Sequence, residues 1–349
     1  MTAAREAAGR PAGKPVWGRP VVFPAHDPGG LHAKTVRVTF PVARSSSVRD
    51  ETEEDPVHDE QYLADRFEEH RTHLRAVAYR MLGSLSDADD AVQEAWLRLA
   101  RTETGDVDNL GGWLTTVVGR VCLDMLRARK TRHEEPLETE HLPDPVILGE
   151  NTSDPEHEAL LADSVGLALL VVLESLSPAE RLAFVLHDMF AMPYEQIAPI
   201  VDRTPQTAKK LASQARRRVQ GLTPAPDPDL PRQRRVVDAF LTAARGGDFD
   251  ELLQLLDPDV VLRADAGEAM RVIRGAAAVA GQAETFQRMA TLCTVHPAVV
   301  NGGTGLVNTV EGAPFSVIGF TVANDRITAI DILSDPTRLA RLDLTAVLN

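Results

Sequence analysis

Cysteine is nearly absent: Cys122 and Cys293 are the only two in 349 residues, far apart and with no Cys-x-x-Cys pair or Cys/His cluster near either. That excludes a disulfide framework and a thiolate zinc site, and it fits a reducing cytoplasm. Aromatic residues make up only 5% of the chain, which disfavours the stacking platform by which single-strand binders hold bases. No window approaches the roughly 18 uncharged apolar residues of a membrane helix, and the N-terminus has no continuous apolar core of a secretion signal. No membrane partner is expected. Net positive charge is missing as well: 37 Lys and Arg stand against 51 Asp and Glu, a formal charge of -14. Phosphate repels such a surface, so any nucleic-acid contact has to come from a local patch.

What is present is 44% hydrophobic residues, enough for packed cores in two to three domains of about 150 residues each. Residues 1–56 mix Gly, Pro and Ser without helical periodicity, and disorder is expected there. The short alternation Val36, Val38, Phe40 is strand-like but has no nearby partner. Regular patterning begins near Tyr62, and a later translational start is one hypothesis it raises; N-terminal sequencing of the native protein tests it.

Residues 57–132 form a helical module. Leu74, Val77, Ala78, Met81 and Leu82 recur at the three- and four-residue spacing of a buried stripe. Ser86 is the expected N-cap of the next helix, followed by Asp87, Asp89 and Asp90 at the positive end of its dipole, with Val92, Trp96 and Leu99 on its apolar side. A third helix over 112–129 carries Leu114, Val117, Val118, Val121 and Met125 inward, leaving Thr116, Arg120, Asp124 and Arg127 on the other face. Residues 133–156, rich in Pro and acids, read as a flexible linker.

A second helical module spans 157–221, punctuated at Ser177-Pro178, Met192-Pro193 and Thr204-Pro205, where proline opens helices. Residues 222–231 form a Pro-rich spacer; 223–231 holds four prolines and two aspartates in nine residues, a stiff extended connection. Beyond it, over 232–349, helices at 232–246 and 248–256 precede a strand near 260–263 and a helix near 276–289. Strand-like runs follow at 295–300, 305–310, 315–322 and 327–333. Helices followed by a strand meander read as α+β, one curved sheet wrapped on helices.

The strongest local signal lies at 194–219. Ile197, Ala198 and Val201 line one short helix, Asp202-Arg203 breaks it, and Thr204-Pro205 opens a second helix lined by Ala208, Leu211, Ala212, Ala215 and Val219. Small inner residues around a tight turn make a helix-turn-helix. Asp202 holds the turn position often given to glycine, and Asp tolerates left-handed backbone. The outer face carries Gln206, Lys209, Lys210, Ser213, Arg216 and Arg217, and no acid occurs from Arg203 to Arg218. Early residues, Gln206 and Lys210 above all, would reach base edges, and the later arginines would hold phosphates. A basic helix face merely solvated by water is the competing account.

Two helical modules joined by a linker, the second carrying the helix-turn-helix, resemble a bacterial extracytoplasmic-function sigma factor of RNA polymerase. The run from Leu74 to Trp96 is similar to the region that binds the polymerase core, Asn109-Leu-Gly-Gly-Trp-Leu-Thr-Thr-Val118 to the part that recognises and opens the -10 element, and Pro178 to Met189 to the lead into the -35 reader. The likeness extends to the subgroup with a fused SnoaL-like domain, through Leu142-Pro-Asp-Pro145 and Asp335-Pro-Thr-Arg-Leu339. The glycine-rich signature of that domain reads Asp265-Ala-Gly-Glu268 here. The implied fold is two all-α modules followed by an α+β SnoaL-like cone.

The resemblance implies that Asp87, Asp90, Gln93, Glu94 and Trp96 meet the polymerase core. Asp87, Asp90 and Glu94 do fall on one helix face, although dipole complementation alone would account for the first two. Asp108, Asn109, Trp113, Arg120 and Arg127 are implied for the -10 strand, where a flipped base needs a pocket between loop and helix. Arg203, Thr204, Gln206, Thr207, Lys209, Lys210, Ser213, Arg216 and Arg217 are implied for the -35 duplex. Asp265, Asp335, Pro336, Arg338 and Leu339 are implied for control in cis by the last domain, which would pack on the linker and first module.

The expected partners are therefore RNA polymerase core and promoter DNA, with no cofactor and no metal; an unidentified small ligand in the last domain stays open. Two other classes compete. One is an operator-binding regulator that uses the helix-turn-helix without polymerase. The other is a SnoaL-like enzyme fused to a DNA-binding module, with Asp265 or Asp331 moving a proton. Neither acid has a His or Tyr beside it in sequence, and an exposed strand-end carboxylate is the simpler account. His70 and His73 lack a third ligand at recognisable spacing. Gly302-Gly-Thr-Gly305 precedes Leu306 rather than Lys-Ser/Thr, which leaves a hairpin turn.

Overall fold

The computed structural model describes residues 16–17, 21–23, 36–38, 41–42, 56–102, 109–132, 141–149, 165–222, 227–267 and 270–348. Most of the N-terminal 55 residues, and with them the expectation of disorder, lie outside these. Within that region β1 (Val16–Trp17) pairs with β4 (Pro41–Val42), and β2 (Val21–Phe23) pairs antiparallel with β3 (Val36–Val38), so the alternation at Val36 and Val38 does find a partner.

The first helices follow the apolar spacing. Helix α1 (Pro56–Leu82) buries Leu74, Val77, Ala78 and Met81 completely and stops at Gly83, whose φ of +71° suits glycine. Helix α2 (Leu85–Leu99) is capped by Ser84, whose Oγ accepts the Asp87 N–H. Ser86, the expected cap, sits inside the first turn, because the break after Gly83 starts the helix two residues sooner. Helix α3 (Leu110–Arg132) begins at Asn109, whose Oδ1 accepts the Gly112 N–H at 2.9 Å.

The second group starts with α4 (Leu167–Glu174) and α5 (Pro178–Phe184), which opens with a full capping box between Ser177 and Glu180 and runs into a π-helical turn over Val185–Met189. Helices α6 (Tyr194–Ile200) and α7 (Pro205–Leu222) follow, linked by Asp202 at φ +56°. Buried residues of both groups, from Phe67 through Leu123 and from Val165 through Ala215, form one continuous hydrophobic cluster. Gly119 of α3 lets the groups approach: a Cβ there would already touch Leu186, Leu182 and Ile200.

The remaining chain is α+β. Helices α8 (Leu230–Gly246), α9 (Phe249–Leu255), α10 (Ala276–Ala280) and α11 (Ala283–Leu292) pack with strands β6 (Leu256–Asp265), β7 (Met270–Arg274), β8 (Thr294–Val300), β9 (Gly303–Val310), β10 (Ala313–Ala323) and β11 (Arg326–Leu333). Short α12 (Pro336–Leu339) and α13 (Thr345–Leu348) close the chain. The helix expected over 276–289 is two, broken at Gly281-Gln282, and β7 is a strand that sequence pattern did not single out. With β5 (Ile147–Gly149) at one edge, the seven-stranded sheet runs β5-β8-β9-β10-β11-β6-β7, antiparallel except where β11 meets β6.

Its first strand, β5 (Ile147–Gly149), comes from the segment expected to be a flexible linker. Ile147, Leu148 and Gly149 pair antiparallel with Val300, Val299 and Ala298. Prolines 143 and 145 prevent a helix there but leave the following residues free to extend along a sheet edge. The β8–β9 hairpin turns on Asn301 and Gly302, both at positive φ, as a two-residue turn matching strand twist requires. Gly305 has a different reason: a Cβ would lie 2.3 Å from Val300 Cγ2 and 2.7 Å from the Ile318 carbonyl.

Gly305→Ala should therefore destabilise the C-terminal sheet by about 1–3 kcal/mol, the usual cost of overpacking. Urea unfolding monitored on the full chain checks it; an unchanged midpoint would contradict the packing described.

Candidate nucleic-acid interface

The basic face is built by α7. Thr204 Oγ1 accepts the Thr207 N–H at 3.3 Å and starts the helix, while Ala208, Ala212 and Ala215 are fully buried and allow close crossing under α6. That orientation leaves Arg203, Thr204, Gln206, Lys209, Lys210 and Arg217 exposed, with Thr207 half-buried. Ser213 is half-buried, its hydroxyl donating to the Lys209 carbonyl at 2.8 Å. Arg216 is already engaged, paired with Asp188 of the π-turn.

The -10 candidates are dispersed. Asp108 lies outside the described residues, Asn109 is a helix cap, and Arg127 is exposed beside Asp124 at 3.8 Å. Trp113 is not a surface group: at 4% exposure it belongs to the shared core, because α3 turns that side toward α1 and α2. Arg120 is 13% exposed and reaches Asp202 at 3.6 Å, so the arginine expected to hold a phosphate faces the helix-turn-helix instead.

On α2, Asp90 and Gln93 are exposed, Glu94 pairs with Arg98 at 2.9 Å, and Asp87 pairs with Arg129 of α3. Trp96 is half-buried, its ring 5.1 Å from Phe67. Only part of the expected acidic stripe is thus open to a partner in this arrangement.

The C-terminal candidates converge. Asp265 is wholly buried at the end of β6, not an exposed strand-end acid. Its carboxylate accepts the Leu142 N–H at 2.9 Å and the Gly267 N–H at 3.0 Å, receives Arg338 at 2.7 Å, and lies 3.3 Å from His141 Nδ1. Gly267 has φ +97°, and a Cβ there would crowd the Asp335 carboxyl at 3.0 Å. Of the altered glycine-rich signature, Asp265 and Gly267 therefore carry the contact; Glu268 lies outside the described residues. Asp335 caps α12 through the Thr337 N–H, Pro336 opens it, and Leu339 seats it in the cluster that holds Ile147 and Val300.

Arg338 also grips Asp144 at 2.6 Å and the Leu142 carbonyl. Asp144 in turn accepts the Leu85 N–H at 3.0 Å and donates its own N–H to the Gly83 carbonyl at 2.8 Å. Nearby, the Tyr79 hydroxyl donates to the Asp144 carbonyl, and Asn301 reaches that hydroxyl, the Val165 carbonyl and Val146 from the sheet turn. Burial pushes the Tyr79 phenol above its ordinary range and keeps it a donor. Asp144, His141, Asn301 and Tyr79 were not among the sequence candidates; Asp144 was in view inside Leu142-Pro-Asp-Pro145, whereas the other three offer no local signal.

Asp331, the other candidate acid, is 1% exposed and 3.0 Å from Arg263 on the neighbouring strand. Burial pushes its carboxyl up to about 6, against the pull of Arg263. Ile330 and Ile332 line a cavity on one side of the sheet, so the pleat sends Asp331 to the other.

Removing Arg338 strands buried carboxylates, which costs about 3–5 kcal/mol where a buried pair loses one partner. Arg338→Ala should release residues 141–149, seen as faster amide exchange at Leu142 and Leu148. Unchanged protection there would count against this geometry.

Comparison with known proteins agrees with the parts just described. The Sigma-70 region 2 family matches residues 66–132, and the Sigma-70 region 4 family matches residues 166–219. The ECF RNA polymerase sigma factor SigJ of Mycobacterium tuberculosis is 39% identical over 278 residues, 76% of this chain and 86% of that protein. The probable sigma factor SigI of the same species is 36% identical over 272 residues, 77% and 92%. The crystal structure of SigJ superposes with a TM-score of 0.65 at 34% identity, covering 80% of this chain and 99% of SigJ. With the helix-turn-helix, the region 2 helices and the fused α+β domain all matched, this chain belongs to the extracytoplasmic-function sigma factors with a C-terminal SnoaL-like domain, and it directs RNA polymerase to promoters.

Proposed function

We propose that this sigma factor is held closed by its own C-terminal domain and initiates transcription once it opens. Residues 57–132 act as the core-binding and -10 unit, 157–221 as the -35 unit and 232–349 as the regulator, all working in the cytoplasm where the promoter lies. Asp90 and Gln93, with Asp87, Glu94 and Trp96, form the polymerase-facing stripe. Gln206 and Lys210 read bases while Arg203, Lys209 and Arg217 hold phosphates.

The observation that carries this reading is the single hydrophobic core shared by both DNA-reading groups, with Arg120 of α3 reaching across to Asp202 of the helix-turn-helix. Promoter elements lie on separate stretches of duplex, and two readers fused by one core cannot follow both. The linker strand β5 and the Asp265–Arg338–Asp144 network support the idea that the last domain maintains this state. No catalytic step is assigned to that domain, since neither Asp265 nor Asp331 lines its cavity.

Run-off transcription with purified core polymerase on a genomic fragment library tests the promoter reading and yields the consensus. Asp90→Lys should abolish retention of core polymerase in a pull-down while leaving the melting temperature in place; polymerase retained by the variant as by the wild type would move core binding off this stripe. Asp202→Asn keeps the left-handed turn but removes the carboxylate that Arg120 reaches across the two groups. An exposed pair contributes about 0–1 kcal/mol, so transcription should rise about twofold, and a fall would argue against closure as the inhibited state.

A further inference from the structure

Asn301 and Gly302 are the only Asn-Gly pair in the chain, and they form the turn between β8 and β9 with both residues at positive φ. Asparagine before glycine is the side-chain amide most prone to cyclise. Glycine has no Cβ, so nothing hinders its backbone nitrogen from reaching the asparagine Cγ. Here the fold holds that amide still. Asn301 is 2% exposed. Its Nδ2 donates to the Tyr79 hydroxyl at 3.0 Å and to the Val165 carbonyl at 3.1 Å, and its Oδ1 accepts the Val146 N–H at 3.1 Å. Its own N–H donates to the Val146 carbonyl at 2.8 Å. The partners come from three parts of the chain: Tyr79 from α1, Val146 from the linker and Val165 from the entry to α4. One side chain of the sheet domain therefore bonds to both helical groups and to the segment between them.

We propose that Asn301 is a self-modification site protected by closure: when the helical groups leave the sheet turn its amide is lost to attack by the Gly302 nitrogen, and the product does not re-form the closed junction. In this deamidation the Gly302 nitrogen bonds to Asn301 Cγ and gives up its proton. The Cγ–Nδ2 bond breaks, ammonia leaves with that proton, and water opens the five-membered imide to aspartate or isoaspartate. Water is the only co-reactant. In the closed chain the amide cannot turn toward Gly302 without giving up three hydrogen bonds, and burial keeps water out. A reaction that needs the open form proceeds in proportion to its population. Once formed, a carboxylate at position 301 has no proton to donate and faces the Val165 carbonyl. The Tyr79 hydroxyl can meet it only by leaving the Asp144 carbonyl. Isoaspartate further lengthens the backbone of a two-residue turn. Time spent open thus becomes a lasting change, a regulatory meaning that rests on the closed form proposed above.

The full-length chain is incubated at neutral pH, natively and in urea, and conversion of Asn301 is followed by peptide mass spectrometry with isoaspartate methyltransferase labelling. The native wild type should convert at least about tenfold more slowly than the unfolded chain. Tyr79→Phe, which removes one hydrogen bond to the amide, should speed native conversion about fivefold, and Arg338→Ala, which frees the linker, should speed it more. Asn301→Asp, which makes one product directly, should exchange the Leu148 amide about tenfold faster than the wild type. If that variant does not fold, aged wild-type chain separated from fresh chain by its added charge takes its place. Equal conversion in the native and unfolded chain, no conversion in urea, a native rate unmoved by Tyr79→Phe, or unchanged Leu148 exchange in the product would each overturn the proposal. No polymerase or promoter enters these measurements, so their failure is separate from failure of the transcription reading.

Discussion

The buried carboxylate of Asp265 sets where three parts of the chain go. A charge removed from water has to be met by donors, and here each donor belongs to a different element: Leu142 from the linker, Gly267 from the strand end, Arg338 from α12. Satisfying it commits the linker to the sheet edge, where Ile147 through Gly149 become β5. Arg338 then brings Asp144 into the same network, and Asp144 holds the α1–α2 turn through Gly83 and Leu85. Buried ion pairs add little net stability compared with apolar packing, because desolvation offsets their attraction. What this one supplies is registry: no other placement of 141–149 offers Asp265 the same set of donors.

Local chemistry was legible wherever an element is specified by its own residues. The Leu74 to Leu82 stripe, Ser177 before Pro178, Thr204 before Pro205 and the alanines of α7 all announce their structure within a few positions, and the helix-turn-helix with its basic face follows from them. The edge strand β5 was not legible, because a strand on a sheet formed 150 residues later leaves no periodicity in three residues. Trp113 was implied for the -10 strand by resemblance, and only the crossing of α3 over α1 and α2 buries it. Asp265 looked like a strand-end acid, since its partners Arg338 and His141 are distant in sequence. Ser86 was the expected cap because three acids follow it; Gly83, by ending the previous helix, moves the cap to Ser84.

The charge pattern gives the closed arrangement a further meaning. The chain carries a formal charge of -14, and two of the arginines proposed to meet DNA are matched by internal acids: Arg120 by Asp202 and Arg216 by Asp188. Both acids stand where phosphates would stand in the promoter-bound reading. Lys209, Lys210 and Arg217 keep an open face, so the -35 side can meet duplex while the α3 side is covered. DNA then competes with carboxylates of the protein itself, and the competition grows steeper with salt because each phosphate contact releases counterions.

Such competition limits what can open the molecule. A ligand shifts a two-state equilibrium only by its differential affinity for the two states, so duplex that binds the exposed α7 face equally well in both changes nothing. On the proposed reading, polymerase core would act by engaging α2 and holding the two readers apart on its own surface, through contacts that the shared core of the closed chain does not allow. If the closed form dominates by about a hundredfold, its partners must favour the open form by about 2.7 kcal/mol merely to equalise the two, and by about 5.5 kcal/mol to reverse the ratio. No single contact on the isolated helix-turn-helix supplies that. The requirement explains why a chain this acidic, with so small a basic face, is built to read DNA as part of a larger assembly.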